Sequence, residues 1–296
     1  MSETPPLSVV IASVNGMPYV ARCLDALARN APDAEVIVAD ATDEATRAEV
    51  ARRFPAVRLI EPDGDATVPA LRAAGIAAAR APHVAVIEDH CLVRPGWASR
   101  IVEWHRDGKP AVGGPVNNVV DERVRDWAAF FCEYHAYVEP MPLGSTDDLT
   151  GMNVSYDRRA IEAMQDLLDD GRWEGWLHGR LRERQLELWC DPELVIDHDK
   201  DFGFLEFAGQ RYHYSRAYAG MRNPDLGWKR VVYCAGAPLL PPFLYYRMAK
   251  NLARAPRLRR AFVRSTPLIA LYLAIWALGE AVGYAVGGGD SLRKVR

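Results

Sequence analysis

The order of the first ninety residues restricts this chain more than any other feature, because short apolar runs alternate there with amphipathic stretches. LSVVIA, EVIVAD, VRLIEP and HVAVIED are the runs; YVARCLDALARN, DEATRAEVARRF and a Pro- and Ala-rich segment separate them. Unbroken apolar strands divided by helix-length segments call for parallel βαβ units whose sheet is covered on both faces. The pattern predicts strands near residues 7–12, 35–39, 57–60 and 84–88. In the first helical segment Val20, Cys23, Leu24 and Leu27 share a face, while Arg22, Asp25 and Arg29 point elsewhere. Thr67 is placed to cap the third helix, with Pro69 in its first turn; Leu71, Gly75 and Ala78 form a narrow stripe that lets it lie close to a sheet.

Beyond Trp97 the pattern is mixed. It predicts a helix around Ala98–Arg106, a strand in AVGGPVNNVV, an aromatic stretch from Trp127 to Tyr137, a loop over 138–150, a helical block over Trp173–Glu187 and one short strand in LELWCDPELVIDH. The charge is uneven too. From Arg247 onward ten Lys and Arg face two acids, a local +8, which leaves −11 for the rest of a chain whose net charge is −3. An acidic body with a basic tail excludes a general attraction to nucleic acid and points to an anionic surface as a partner of the tail. Residues 247–264 hold seven cations and no acid, an uncharged run follows from Ser265 to Gly279, and with Glu280 tolerated the apolar segment reaches about Val286. That is near the roughly 20 residues that cross a bilayer, so spanning is permitted without being required. A hydrophobic helix packed on the body is the alternative. A polybasic segment beside an apolar one supplies two attachment signals together, so a membrane surface is the expected partner. Five widely spaced cysteines with no Cys-x-x-Cys pair fit a reducing compartment, and MSETPPLSVV lacks the charged start and long apolar run of a cleaved signal. The expected location is the cytoplasmic face of the cell membrane.

In an open parallel sheet the ligand crevice lies beyond the carboxyl ends of the strands. The polar residues there are Ser13 and Asn15 after the first strand, Asp40 after the second, and Glu88, Asp89 and His90 after the fourth. Asp40 suits a base or ribose, and the Glu88/Asp89/His90 cluster offers oxygen and nitrogen ligands for a divalent cation. Taken singly, each is equally well a helix cap or turn former. Neither G-x-G-x-x-G after the first strand nor G-x-x-x-x-G-K-[ST] occurs, so a bound diphosphate would be neutralised by metal or Arg.

With these residues in view, the series V-V-I-A-S-V-N, E-V-I-V-A-D, L-R-A-A-G-I-A-A-A-R-A and V-A-V-I-E-D-H resembles glycosyltransferase family 2 and its GT-A fold. The resemblance implies an α/β, Rossmann-like, mostly parallel sheet flanked by helices, with a hydrophobic helical extension. It implies a glycosyltransferase domain over 1–220, divided into a nucleotide-binding half at 1–97 and an acceptor half at 98–220, followed by a membrane-associated region at 221–296. Ser13, Asn15, Asp40, Arg72 and Gly75 match its motifs, although Ala12 replaces the usual proline. Glu88 and His90 stand where the family's Asp-x-Asp acids would be, with Asp89 between them. That exchange of carboxylate for imidazole leaves open whether the implied cation is Mn2+ or Mg2+.

G-M-N-V-S-Y-D-R-R at 151–159 is similar to the segment lining the sugar crevice, which brings in Asn153. Aligning back from Arg180 and Leu181 places Glu174 at the catalytic acid, with Trp173 at the usual glutamate position. Glu174 would take the acceptor proton and give inversion; as a structural residue it would be an acid favoured at a helix start. His198 resembles a histidine near the nucleotide phosphates and joins Glu88 and His90 as an implied metal ligand, with a satisfied structural histidine as the alternative reading. Arg211 and Arg216 would clamp a pyrophosphate or form a solvated face. The implied activity is inverting transfer of a sugar from a nucleotide-sugar donor to a glycan or lipid-linked acceptor hydroxyl, in cell-surface polysaccharide or glycolipid synthesis. The alternatives are a membrane-bound nucleotide-sugar binder without turnover, favoured by the weakened acidic motif, and a sugar nucleotidyltransferase, disfavoured because A-S-V-N-G-M-P lacks a basic residue.

Overall fold

The computed structural model describes residues 4–62 and 66–295. The described elements, in chain order, begin with β1 (Ser8–Ser13), α1 (Tyr19–Asn30), β2 (Glu35–Asp40), α2 (Glu44–Arg53), β3 (Arg58–Ile60), α3 (Val68–Ala78), β4 (His83–Glu88), β5 (Cys91–Val93) and α4 (Trp97–Arg106). β6 (Ala111–Gly113), β7 (Val116–Asn118), α5 (Val124–Tyr134), β8 (Gly144–Thr146), β9 (Val154–Asp157), α6 (Arg158–Ala163), α7 (Gln165–Asp169) and α8 (Glu174–Glu183) follow. The chain continues through β10 (Leu188–Cys190), β11 (Ile196–His198), α9 (Phe204–Leu226), α10 (Lys229–Gly236), α11 (Leu240–Leu252) and α12 (Arg259–Val286).

Packing divides the chain into two compact units, one of Met1–Val119 with Glu139–Lys200, the other of Val120–Val138 with Asp201–Arg296. The first unit holds an eight-stranded sheet of order β3-β2-β1-β4-β9-β6-β10-β8 and a three-stranded sheet of order β5-β11-β7. β3, β2, β1 and β4 are mutually parallel, while β9 runs antiparallel to both β4 and β6. This is the α/β architecture expected of a GT-A fold, with a mostly parallel sheet flanked by helices. β1 is buried at every position, as a strand covered on both faces must be. Thr67 caps α3 by accepting from the Ala70 N–H. Gly75 is required on that helix, because a Cβ there would sit 2.2 Å from Val10 Cγ1 on β1. LELWCDPELVIDH forms two strands in two different sheets, where one strand was expected. A turn closed by the Leu194 N–H on the Asp191 carbonyl carries the chain from β10 to β11.

The second unit is helical. α12 packs chiefly on α9 and α5 and also meets α10 and α11. Phe131 of α5 meets Phe262 of α12 edge to face, and Ser265 donates to the Val124 carbonyl.

Candidate active site at the strand ends

The register places the polar residues. Ser13 pairs with Asp40 across β1 and β2, and Ala12 pairs with Glu88 across β1 and β4, so three strand ends lie side by side. Asp89 anchors the turn that follows β1. Its carboxylate accepts the backbone N–H groups of Val14 and Asn15 at 2.9 and 2.7 Å and the Asn15 amide at 2.6 Å, while Lys200 donates to Asn15 Oδ1 at 2.6 Å. Burial pushes the Asp89 carboxyl up, but hydrogen bonds from His90 and Asn15 outweigh it and hold the group below the usual carboxylate range. Asp89 is thus an anion fully engaged in shaping the loop.

Glu88 turns the other way. Its Oε1 accepts from Arg72 at 2.7 Å, and its Oε2 lies 3.3 Å from His90 Nε2. The same Arg72 guanidinium meets Glu174 Oε1. Arg72 is 6% exposed and lies over the Trp173 ring at 5.9 Å. A single contact chain, His90–Glu88–Arg72–Glu174, therefore joins the end of β4, the buried face of α3 and the first turn of α8. One cation answers two carboxylates. Ser13 Oγ is buried with no hydrogen-bond partner among the described residues, and the buried His90 Nε2 has only its 3.3 Å contact with Glu88. Buried polar atoms left unpaired at a strand-end rim are what a ligand site presents before its ligand arrives.

The other expected site residues are placed differently. Asp40 is buried beside Ser13, but its carboxylate is engaged by Thr42 and by Arg47 at 3.3 Å. Asn153 is 1% exposed; its amide donates to the Pro115 and Leu194 carbonyls and its oxygen accepts from Trp97 Nε1, so its hydrogen bonds tie framework segments together. His198 lies edge-on to His90 with ring centroids 4.8 Å apart. Burial, then the neighbouring His90 and Lys200, push its pKa well below the ordinary imidazole value, so it is neutral at pH 7. Arg211 is part of the second unit and has its partners there: it meets Glu133, and the Phe207 ring lies under its guanidinium at 4.8 Å. Arg216 of the same helix donates to the Gly287 carbonyl.

Among the described residues no group of three or more His, Cys, Asp or Glu side chains is arranged to hold a metal ion by itself. Glu88 Oε2 and the nearby His90 Nε2 fit as two ligands of a cation whose remaining ligands come from a diphosphate and water, with the imidazole shifting the preference from Mg2+ towards Mn2+ or softer ions.

One constellation escaped the motif reading. Tyr156 OH meets His178 Nε2 at 2.9 Å, and His178 Nδ1 donates to Asp148 Oδ1 at 2.6 Å. Both Tyr156 and His178 are buried, and Tyr156 lines the same pocket as Arg72 and Glu174. Burial pushes the Tyr156 phenol up, so it stays protonated and donates to the imidazole. The available signal was spacing: His178 follows Glu174 by four residues and so shares its face of α8.

Comparison with known proteins places this geometry. A mannosyltransferase from Pyrobaculum calidifontis, PcManGT, solved with GDP-Man and Mn2+, is similar over 94% of this chain and 88% of its own, with a TM-score of 0.56 and 16% identity. S. aureus TarS 1–349 is similar over 93% of this chain and 90% of its own, with a TM-score of 0.49 and 12% identity. No curated protein sequence matches. The first likeness extends to the fold. The profile described as glycosyl transferase family 2 matches residues 8–164, which take in β1 to β4 with the strand-end residues and α3 with Arg72, and the chain belongs to that family.

Proposed function

We propose that this glycosyltransferase is an inverting hexosyltransferase that moves a sugar from a nucleotide-sugar donor to the hydroxyl of a glycan or lipid-linked acceptor. The supporting observation is the contact chain from His90 through Glu88 and Arg72 to Glu174, with the buried, unpaired Ser13 Oγ on the neighbouring strand end. Asp40, Ser13 and Asn15 are assigned to the nucleoside side of the donor. Arg72, Glu88 and His90 are assigned to the diphosphate side. Two carboxylates share one guanidinium there, so an anion excess remains for a divalent cation, consistent with the Mn2+ in the Pyrobaculum enzyme. A bound cation would neutralise the charge that grows on the diphosphate as the glycosidic bond breaks.

Glu174 acts as the base. At the first position of α8 it accepts the proton of the acceptor hydroxyl while that oxygen attacks the anomeric carbon, and the diphosphate leaves from the opposite face. Arg72 sets the direction of the Glu174 carboxylate. The proposed setting is the cytoplasmic face of the cell membrane, in surface polysaccharide or glycolipid synthesis. Its support is the apolar helix over Pro256–Val286, with cations before it and in its first turns.

The test is calorimetry with UDP, GDP and TDP sugars, with and without Mn2+, followed by product detection. Donor binding with formation of a product of opposite anomeric configuration is expected. Binding without turnover makes the chain a nucleotide-sugar binder, and pyrophosphate release from a nucleoside triphosphate and sugar phosphate makes it a nucleotidyltransferase.

A further inference from the structure

From Leu226 to Gly279 the chain carries nine Lys and Arg and no Asp or Glu, and all nine cations are exposed. The apolar groups between them are exposed as well, at helical spacing. Trp228, Val231 and Val232 at the start of α10 are 75, 65 and 58% exposed, and Leu239 beyond it is 72% exposed. On α11 the exposed residues Phe243, Tyr246, Arg247 and Lys250 recur at i, i+3, i+4 and i+7, one face with two aromatics followed by two cations. Soluble surfaces rarely leave so much apolar area bare beside a single sign of charge.

α12 is the element whose length permits crossing. Its 28 residues extend about 42 Å at the usual rise per residue. Its packing argues against it. A Cβ at Gly279 would lie 2.5 Å from the Tyr212 carbonyl oxygen, and one at Gly283 would lie 2.5 Å from that of Arg216, so α12 rests on the backbone of α9. α9 carries Arg211, His213, Arg216 and Arg222. Arg222 donates to Tyr284 OH and Asn223 to the Gly283 carbonyl, so the polar helix follows α12 towards its end. A spanning α12 would draw this charged partner into hydrocarbon, where each charge near the bilayer centre is costly. Away from α9, α12 exposes Val263, Leu271 and Leu278 on a side that begins with the exposed Arg260 and Arg264.

We propose that the second unit docks on the surface of an anionic bilayer through the exposed faces of α10, α11 and α12, lying in the headgroup plane without crossing the hydrocarbon. Exposed aromatics enter the interface while the cations meet lipid phosphates, the two-signal attachment of a monotopic protein. The inference rests on the membrane attachment proposed above and adds its mode and its lipid chemistry.

The test is flotation of the full chain with phosphatidylcholine vesicles and with phosphatidylcholine–phosphatidylglycerol vesicles. Strong binding only to the second, released by high salt and by alkaline carbonate, is expected. The combined variant Arg247→Gln, Lys250→Gln, Arg260→Gln should bind anionic vesicles about 100-fold more weakly, at the usual contribution of each interfacial cation, with an unchanged unfolding temperature. Trp228→Ser should weaken binding further when added to it. Equal binding to both vesicle types overturns the charge argument, and carbonate-resistant insertion overturns the in-plane placement. Neither measurement uses donor or acceptor, so a failure here leaves the sugar-transfer reading standing, and a failure of turnover leaves this one standing.

Discussion

The two units handle charge in opposite ways. In the first, Arg72, Glu88, Asp89 and His90 are withdrawn from water or nearly so and committed to one another. In the second, nine cations stand in solvent over a stretch without a single acid. A buried set whose members engage one another is expensive to assemble and responds to one small ligand that completes it. A displayed, unbalanced set costs little and responds to any extended anionic surface. The contrast teaches that the same residue types serve selectivity when enclosed and attachment when exposed.

That contrast can be broken most sharply at Glu174. Glu174→Gln should lower turnover by about 10^2–10^4-fold, the usual range for a lost general base, while donor affinity by calorimetry stays at the parent value; near-parent turnover removes Glu174 from proton transfer. Next in size, Arg72→Met should cost about 3–5 kcal/mol in denaturant unfolding, because two carboxylates lose their shared partner. Arg260→Gln in the second unit should leave the same transition where it was, and equal effects at the two sites would erase the distinction.

Acid should act through the enclosed histidines. Burial, against an opposing hydrogen bond with the Lys109 carbonyl, pushes His105 down to about 4. Burial, then Arg247 and Arg254, do the same to His135. Each group is neutral when folded and titrates near 6.5 when unfolded, so its contribution is whole above pH 6.5 and is lost as pH falls towards 4. For His105 the loss is about 3 kcal/mol at pH 4. A flat stability profile between pH 7 and 4 would contradict this. The smallest effect is expected at His178→Gln, about 1–3 kcal/mol from the partners left unsatisfied on Tyr156 and Asp148, and thermal unfolding of that variant checks it.

Much of the parallel half of the sheet was legible because β1, β2 and β4 are long and largely buried. β1, β2 and β4 have six residues apiece, enough for an unbroken apolar run between helical periods. The strands beyond α4 have three or four residues, too few to show a period. LWC and IDH therefore read as one segment although they enter different sheets. Site positions at strand ends were legible from topology. Their pairing was not: Arg72 and Glu174 lie about a hundred residues apart, and only the folded chain brings the guanidinium between Glu88 and Glu174. Asn153 shows the reverse case, since its motif position was visible and its commitment to two carbonyls and an indole was not.

The placement of α5 has a practical consequence. Residues 120–138 leave the first unit, join the C-terminal helices and return, so the backbone passes between the units three times. Cutting the protein after Lys200 or before Arg247 would remove α12, whose Phe262 covers Phe131 and whose Ser265 donates to the Val124 carbonyl, and would leave α5 with an uncovered apolar face. Shortened versions of this enzyme should therefore aggregate, and the helical unit has to be disarmed one side chain at a time.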